Sequence, residues 1–270
     1  MTVATDDESV AKTLGPLRQS ARHPFPPSRS VEYTVTQNGR GFDVDEDGKL
    51  LTHAPYPIDV LMLLDRRVYL PALAPYAGTA AALLGAACAQ IGETRLLLVG
   101  DRDVAGTALL LKLLTGGAVV EGDWYTLLAD DVVTTVARSL RVSQDVVAAA
   151  PEAARLVDGQ PFVQDALGRV VWSFDPTTRG LTWEIGRGAV DAIVVVESNP
   201  GGRSRLERRP RHEAAQDVVA AIDVIPGEQV RPQIVAARIA AACRLVDACS
   251  CWRLRLGDLD EAAALLGRIE

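Results

Sequence analysis

Lysine is almost missing from this 270-residue chain: only Lys12, Lys49 and Lys112 carry it, and the rest of its 28 basic residues are arginines. Acidic residues number 35, which leaves a formal net charge of −7. Nucleic-acid backbones and anionic membrane surfaces are bound by positive fields, so neither is an expected partner. Cysteine is also scarce. Cys88, Cys243, Cys249 and Cys251 lack the paired spacing of a zinc site or a disulfide framework and read as reduced core residues. The histidines, His23, His53 and His212, fall in a leader, a turn and a loop, and no Ser-His-Asp or Cys-His constellation forms around them. Residues 1–8 are acidic and lack the apolar region of a secretory signal, so the expected compartment is the cytoplasm. No internal repeat is present.

Residues 68–92 contain no charge, and by length alone would suit a membrane span. Pro71, Pro75, Gly78 and Gly85 interrupt them, and their apolar content is mostly alanine, which adds little transfer energy. The expectation is a buried Ala-rich helix over 77–91 that leads into a strand over 95–99. With 48% hydrophobic and 23% charged residues the chain has the composition of a globular protein of one or two domains.

Three regions follow from the patterning. Residues 1–30 are polar, end in a Pro-rich stretch, and read as a flexible leader. Residues 31–76 form a small β-rich region: 31–36 alternates with period two, 41–51 turns at Asp47-Gly48, 58–64 is a short apolar segment and 66–70 a further strand. Asp43 to Gly48 matches the opening of a calcium loop, but position twelve is Ala54 where a bidentate Glu is required, so a solvated hairpin is expected. Residues 77–270 form the core. Here 107–115 is a nearly all-round apolar helix, 118–123 and 132–136 are strands, and 144–156 is a helix. Strands at 170–174 and 181–185 are expected to pair, and 189–197 is a strand buried on both faces. Helices over 211–221, 231–249 and 259–268, with a strand at 251–256, close the chain. Trp124, Trp172, Trp183 and Trp252 read as core or rim anchors. The run Arg203, Arg205, Arg208, Arg209, Arg211 and His212 reads as a solvated loop, or as a docking site for an acidic peptide or a phosphate.

One motif carries chemistry. Residues 95–107 run strand, tight loop, helix, with Gly100 and Thr107 at the spacing of a phosphate loop. Such a loop wraps phosphates with backbone N–H groups, neutralises them with a Lys, and holds magnesium with a Ser or Thr. Ala105 and Gly106 stand where Gly and Lys belong, and no register restores the cation.

The order of segments resembles the HPr kinase/phosphorylase family, especially its divergent relatives, the HPr kinase-related Ser/Thr kinases of bacterial biosynthetic clusters. The resemblance rests on residues 96–107, 117–128, 138–142, 190–197 followed by Asn199-Pro200-Gly201-Gly202, and 256–262, and spans roughly residues 77–270. It implies an α/β fold in which a P-loop mixed sheet is flanked by helices, with the small β-rich region N-terminal to it. It also implies ATP- and magnesium-dependent phosphorylation of a Ser or Thr on a protein or peptide. By the same resemblance Thr107 and Asp123 are the retained magnesium positions. Gly106 falls on the P-loop Lys, Gly85 on a frequent His, and Trp124 on the second of two Asp residues, the usual base. Asp103 puts a carboxylate where a Gly normally brings backbone close to phosphate.

A carboxylate about 4 Å from a phosphate costs on the order of 4 kcal/mol at an effective dielectric near 20, and the lost Lys removes an attraction of similar size. An active kinase would need Arg102 or Lys112 as a substitute cation, with Gly100, Gly106 and Thr107 still lining the nucleotide. It would also need Glu121 as a replacement base beside Asp123. The expected function is therefore a catalytically degenerate member that binds a peptide or protein partner, with no cofactor, as an accessory protein in a bacterial peptide-modification pathway. The alternative is an active ATP- and Mg-dependent Ser/Thr kinase with a rearranged phosphate loop. The resembled family is often oligomeric, which leaves a homo-oligomer open.

Overall fold

The computed structural model describes residues 2–6, 31–100, 102–136, 140–160, 162–164, 167–225 and 228–269. Most of the expected leader, Asp101 of the phosphate loop, and Arg138-Ser139 of the resembled pattern lie outside them. The chain divides into two compact units, and the boundary expected at residue 76 is crossed twice, because 137–144 and 157–175 belong with the N-terminal one.

In the N-terminal unit the period-two alternation becomes a meander of Glu32–Asn38, Gly41–Glu46 and Lys49–Ala54. Its second turn places Asp47 and Gly48 at positive φ, the conformation an Asp-Gly hairpin turn requires. Asp43, first carboxylate of the calcium-like match, instead accepts from Asn38 Nδ2 at 2.7 Å and lies 3.0 Å from His53 Nδ1. Two expectations are corrected here. Thr2–Thr5, counted with the leader, is a strand parallel to Glu32–Asn38, and Val3 packs on the unit's core. The region 57–73, read as an apolar segment and a strand, is one helix, Pro57–Leu73. Its start is specified locally: proline occupies the first helical position, and Asp59 reaches back to the Tyr56 N–H at 3.2 Å. Ile58, Leu61 and Leu64 then recur on one face against Tyr33, Val35, Phe42 and Val44. A separate antiparallel sheet pairs Val170–Phe174 with Leu140–Ser143 and Phe162–Gln164. The expected partner of Val170–Phe174, residues 181–185, makes only a bridge from Trp183 to Val120.

The larger unit is built around a mixed six-stranded sheet. Thr94–Gly100, Ala192–Ser198 and Ser250–Leu256 run parallel at its centre. Arg205–Arg208 closes one side, antiparallel to Ser250–Leu256, while Ala86–Ile91 and then Val119–Val120 close the other. On one face lie the helices Val104–Thr115 and Leu259–Leu266, packed on Leu96, Leu98, Val194, Val196 and Leu254. On the other, Arg211–Ala220 and Pro232–Ala248 pack on Cys88, Leu97, Val99 and Ile193. This mixed α/β architecture, with an N-terminal strand region, is the fold class the sequence implies. Among the described residues no helix is long and apolar enough to cross a membrane.

The Ala-rich helix expected over 77–91 is overturned. The segment forms two strands, Ala82–Leu84 in an antiparallel five-stranded sheet and Ala86–Ile91 in the six-stranded one, and Gly85 is the point of transfer. Every residue from 81 to 89 is buried, so neither a helical nor an alternating period is visible, and the helix propensity of alanine loses to pairing on both sides. The helix expected over 144–156 is likewise split, at Pro151, into Gln144–Ala149 and Ala153–Val157.

Candidate functional site at the end of the central strand

Thr94–Gly100 ends beside Val196 of the neighbouring parallel strand. Gly100 has φ +117, and a Cβ there would collide with the Val196 carbonyl oxygen. The close approach of two strands therefore accounts for this glycine without any phosphate. The helix begins at Val104, so only residues 101–103 lie between strand and helix. Asp103 is the N-cap residue, and its carbonyl accepts the Thr107 N–H at 3.1 Å. Gly106 and Thr107, in the opening turn of the helix, are both buried.

The three basic side chains of this segment are all engaged. Arg102 Nη1 donates to Asp223 Oδ2 at 2.8 Å, and its guanidinium lies over the Cα of Gly85, where any Cβ would overlap it. The missing side chain at 85 thus leaves the room that the Arg102 guanidinium occupies as it reaches Asp223. Lys112 is eight positions beyond Val104, about 12 Å along the helix axis, and is held by Asp260 and, at 3.5 Å, by Glu152. The Asp260 carboxylate raises the Lys112 ammonium above its ordinary value. Arg95 is buried and forked onto Glu121: Nε meets both carboxylate oxygens at 2.9 Å and Nη2 meets Oε2 at 2.6 Å.

The carboxylate side of the site is equally enclosed. Glu121, considered as a replacement base, has its carboxylate bound by Arg95, and a Cβ at Gly186 would overlap it. Asp123 and Thr107 are 5% and 6% exposed, whereas magnesium keeps several waters and shares its ligands with substrate phosphates. Among the described residues no group of three His, Cys, Asp or Glu side chains is placed to hold a metal. Trp124 belongs to the apolar cluster that also holds Leu98, Leu109 and Val196, with Ala105 packed against it. Its φ is +30, uncommon for a bulky residue, and its buried Nε1 has no hydrogen-bond partner. An indole cannot accept a hydroxyl proton, so the position the resemblance gives to the base is filled by packing. Cys88 and Cys249 offer no alternative nucleophile, because burial pushes both thiols up to about 12.

Sequence reasoning identified the loop residues but missed their partners. Asp223 is 121 positions from Arg102, and nothing local connects them. The visible signal was an Arg opening an otherwise apolar strand, which demands a buried anion somewhere in the fold. One expected result arises directly. Gly85→Ala and Asp223→Asn should each cost no more than about 1 kcal/mol, since an exposed pair contributes little. In urea unfolding the double variant should cost no more than the larger single one, because both remove the same Arg102 contact. Full additivity would show that the glycine and the pair are unrelated.

Neither a protein-family model nor a curated protein matches the chain. Among solved structures, the Hpr(Ser) kinase/phosphatase from Coxiella burnetii is similar over 46% of this chain and 76% of that one, at 14% identity and a TM-score of 0.27. At that score the match adds nothing to what the residues themselves support.

Proposed function

We propose that this chain is a kinase-like α/β protein without phosphoryl-transfer chemistry, which recognises a peptide or protein partner as an accessory component of a bacterial peptide-modification pathway. The observation that carries the first part is the engagement of Arg95, Arg102 and Lys112 by Glu121, Asp223 and Asp260. A triphosphate arriving at this loop meets no uncommitted cation from the segment itself. Of the three pairs Arg95–Glu121 is buried, whereas Arg102–Asp223 and Lys112–Asp260 lie at the surface, each worth about 0–1 kcal/mol, and of these two cations Arg102 is the one that stands in the loop. Freeing it would give up the Asp223 contact to regain one attraction on the order of 4 kcal/mol, the size lost with the lysine. The pathway part is supported by the segment order and by nothing else.

Calorimetry with Mg-ATP tests the reading. No heat is expected at millimolar nucleotide. Micromolar binding that vanishes in Arg102→Ala would overturn the reading in favour of an active kinase that uses Arg102, Thr107 and Asp123.

A further inference from the structure

The arginine run from 203 to 211 resolves into a strand with an open side. Among the described residues Arg205–Arg208 is the terminal strand of the six-stranded sheet and pairs only with Ser250–Leu256. Arg209 N–H donates to the Cys251 carbonyl at 3.0 Å, which makes Arg209 and Cys251 a hydrogen-bonded pair. Alternation along an antiparallel ladder then makes Glu207/Arg253 and Arg205/Arg255 hydrogen-bonded pairs too. Leu206 and Arg208 are consequently the residues whose N–H and C=O point outward, two positions apart, as an added strand requires.

The charges on this edge are unbalanced in one direction. Arg203 is bound by Glu261 and Arg209 by Asp217, while Arg253 lies 3.9 Å from Glu197. Among the described residues Arg205, Arg208 and Arg255 are exposed and make no ion pair. Arg205 and Arg255 stand directly opposite each other in register, an arrangement of like charges that destabilises a sheet. Arg208 lies 3.8 Å over the Trp252 ring, which holds the guanidinium plane while leaving its N–H fork free for a carboxylate. Glu207 is the strand's single acid. In a chain of net charge −7 this is a local concentration of uncompensated cations beside unpaired main chain.

We propose that an acidic segment of a partner peptide adds to this edge as a further strand, pairing with the main chain of Leu206 and Arg208 and placing carboxylates on Arg205, Arg255 and Arg208. The inference rests on the peptide-binding reading above and names the partner's chemistry. The register also gives it a place in the fold. Arg205 pairs near the carboxyl end of Ser250–Leu256, and the edge is three strands from Thr94–Gly100, about 14 Å at the usual strand spacing. A peptide on this edge lies along the sheet that carries the degenerate phosphate loop.

The test uses the whole chain and a fluorescein-labelled peptide of repeating Glu-Glu-Val, which as a strand presents carboxylates to both faces, those of Arg205 and of Arg208, followed by anisotropy. Binding is expected, weakening with salt, and at least about tenfold weaker in R205E/R208E. That variant should melt close to the parent, because the Arg205/Arg255 opposition becomes an attraction that offsets the lost Arg208–Trp252 contact. The same peptide N-methylated at alternate residues should not bind, and amides 206 and 208 should gain hydrogen-exchange protection only with the unmethylated peptide. Equal binding of the methylated peptide, or of inorganic polyphosphate in its place, would mean anion capture without strand addition and would overturn the inference. A Lys-for-Glu peptide that binds when the acidic one does not would overturn it while leaving peptide recognition standing. Failure of acidic, basic and neutral peptides alike would remove both.

Discussion

Glu121→Ala is expected to lower the unfolding free energy by about 3–5 kcal/mol, the range for removing one partner of a buried ion pair. Arg95 is 9% exposed and Glu121 5%. Beyond its contacts with Glu121, the Arg95 guanidinium donates to the carbonyls of Gly188, Ala189 and Val133 at 2.6, 3.1 and 3.2 Å. It therefore ties the central strand to the five-stranded sheet. Without the carboxylate a guanidinium remains buried among carbonyl dipoles with its charge uncompensated. The double variant Arg95→Met/Glu121→Leu should recover much of the loss, because apolar residues of similar size carry no desolvation cost. Urea unfolding monitored by far-UV circular dichroism reads both. The experiment also bears on chemistry: if Glu121 acted as a proton acceptor, its replacement would leave the fold intact and remove turnover. An unchanged urea midpoint in Glu121→Ala would show that the pair does not hold the two sheets.

Acid is expected to remove a second block of stability through Glu228. Its side chain is fully enclosed, bound by both terminal nitrogens of Arg238 at 2.6 Å and by the N–H groups of Ile225 at 2.9 Å and Gly78 at 3.2 Å. The Arg238 hydrogen bonds, opposed by burial and helped by the two amides, pull the carboxyl from 4.5 down to about 2. Because the folded value lies below the unfolded one, the stabilisation is fully present above pH 4.5 and is lost as the pH falls from there toward 2. A shift of that size corresponds to about 3 kcal/mol. Thermal midpoints taken from about pH 6 down to pH 3 should fall more steeply in the parent than in Glu228→Gln, which starts lower and lacks this titration. Parallel slopes would assign the acid sensitivity to other groups.

The parts of the fold legible in the residues are those whose signal is local. Pro232 at the first turn of Pro232–Ala248, and Asp258 accepting the Glu261 N–H at 2.8 Å ahead of Leu259–Leu266, mark helix starts that any window around them reveals. Ala192–Ser198 is a β-branched run and reads as a strand for the same reason. Pro57 and Asp59 carried an equally local message that the β-rich reading of that region overrode. The segment 81–91 gave no such message, because a strand buried on both faces shows no period and alanine favours the wrong structure. The candidate site divides in the same way. Gly100, Gly106, Thr107, Asp123 and Trp124 could be picked out by spacing, whereas the carboxylates that bind Arg95, Arg102 and Lys112 lie 26, 121 and 148 positions away.

Residue identities alone settle that the phosphate loop is short of positive charge, since a missing lysine is missing in any conformation. They do not settle where the remaining arginines go. Whether Arg102 turns to a nucleotide or to Asp223 depends on Gly85 leaving room for it and on the two-residue strand Ile222–Asp223 arriving from more than a hundred positions away. Whether Arg205 and Arg208 face solvent or a neighbouring strand depends on the order in which the sheet is assembled. Charge is a property of single residues; register and edges come from strand pairing across the whole sheet, so only the folded chain specifies them.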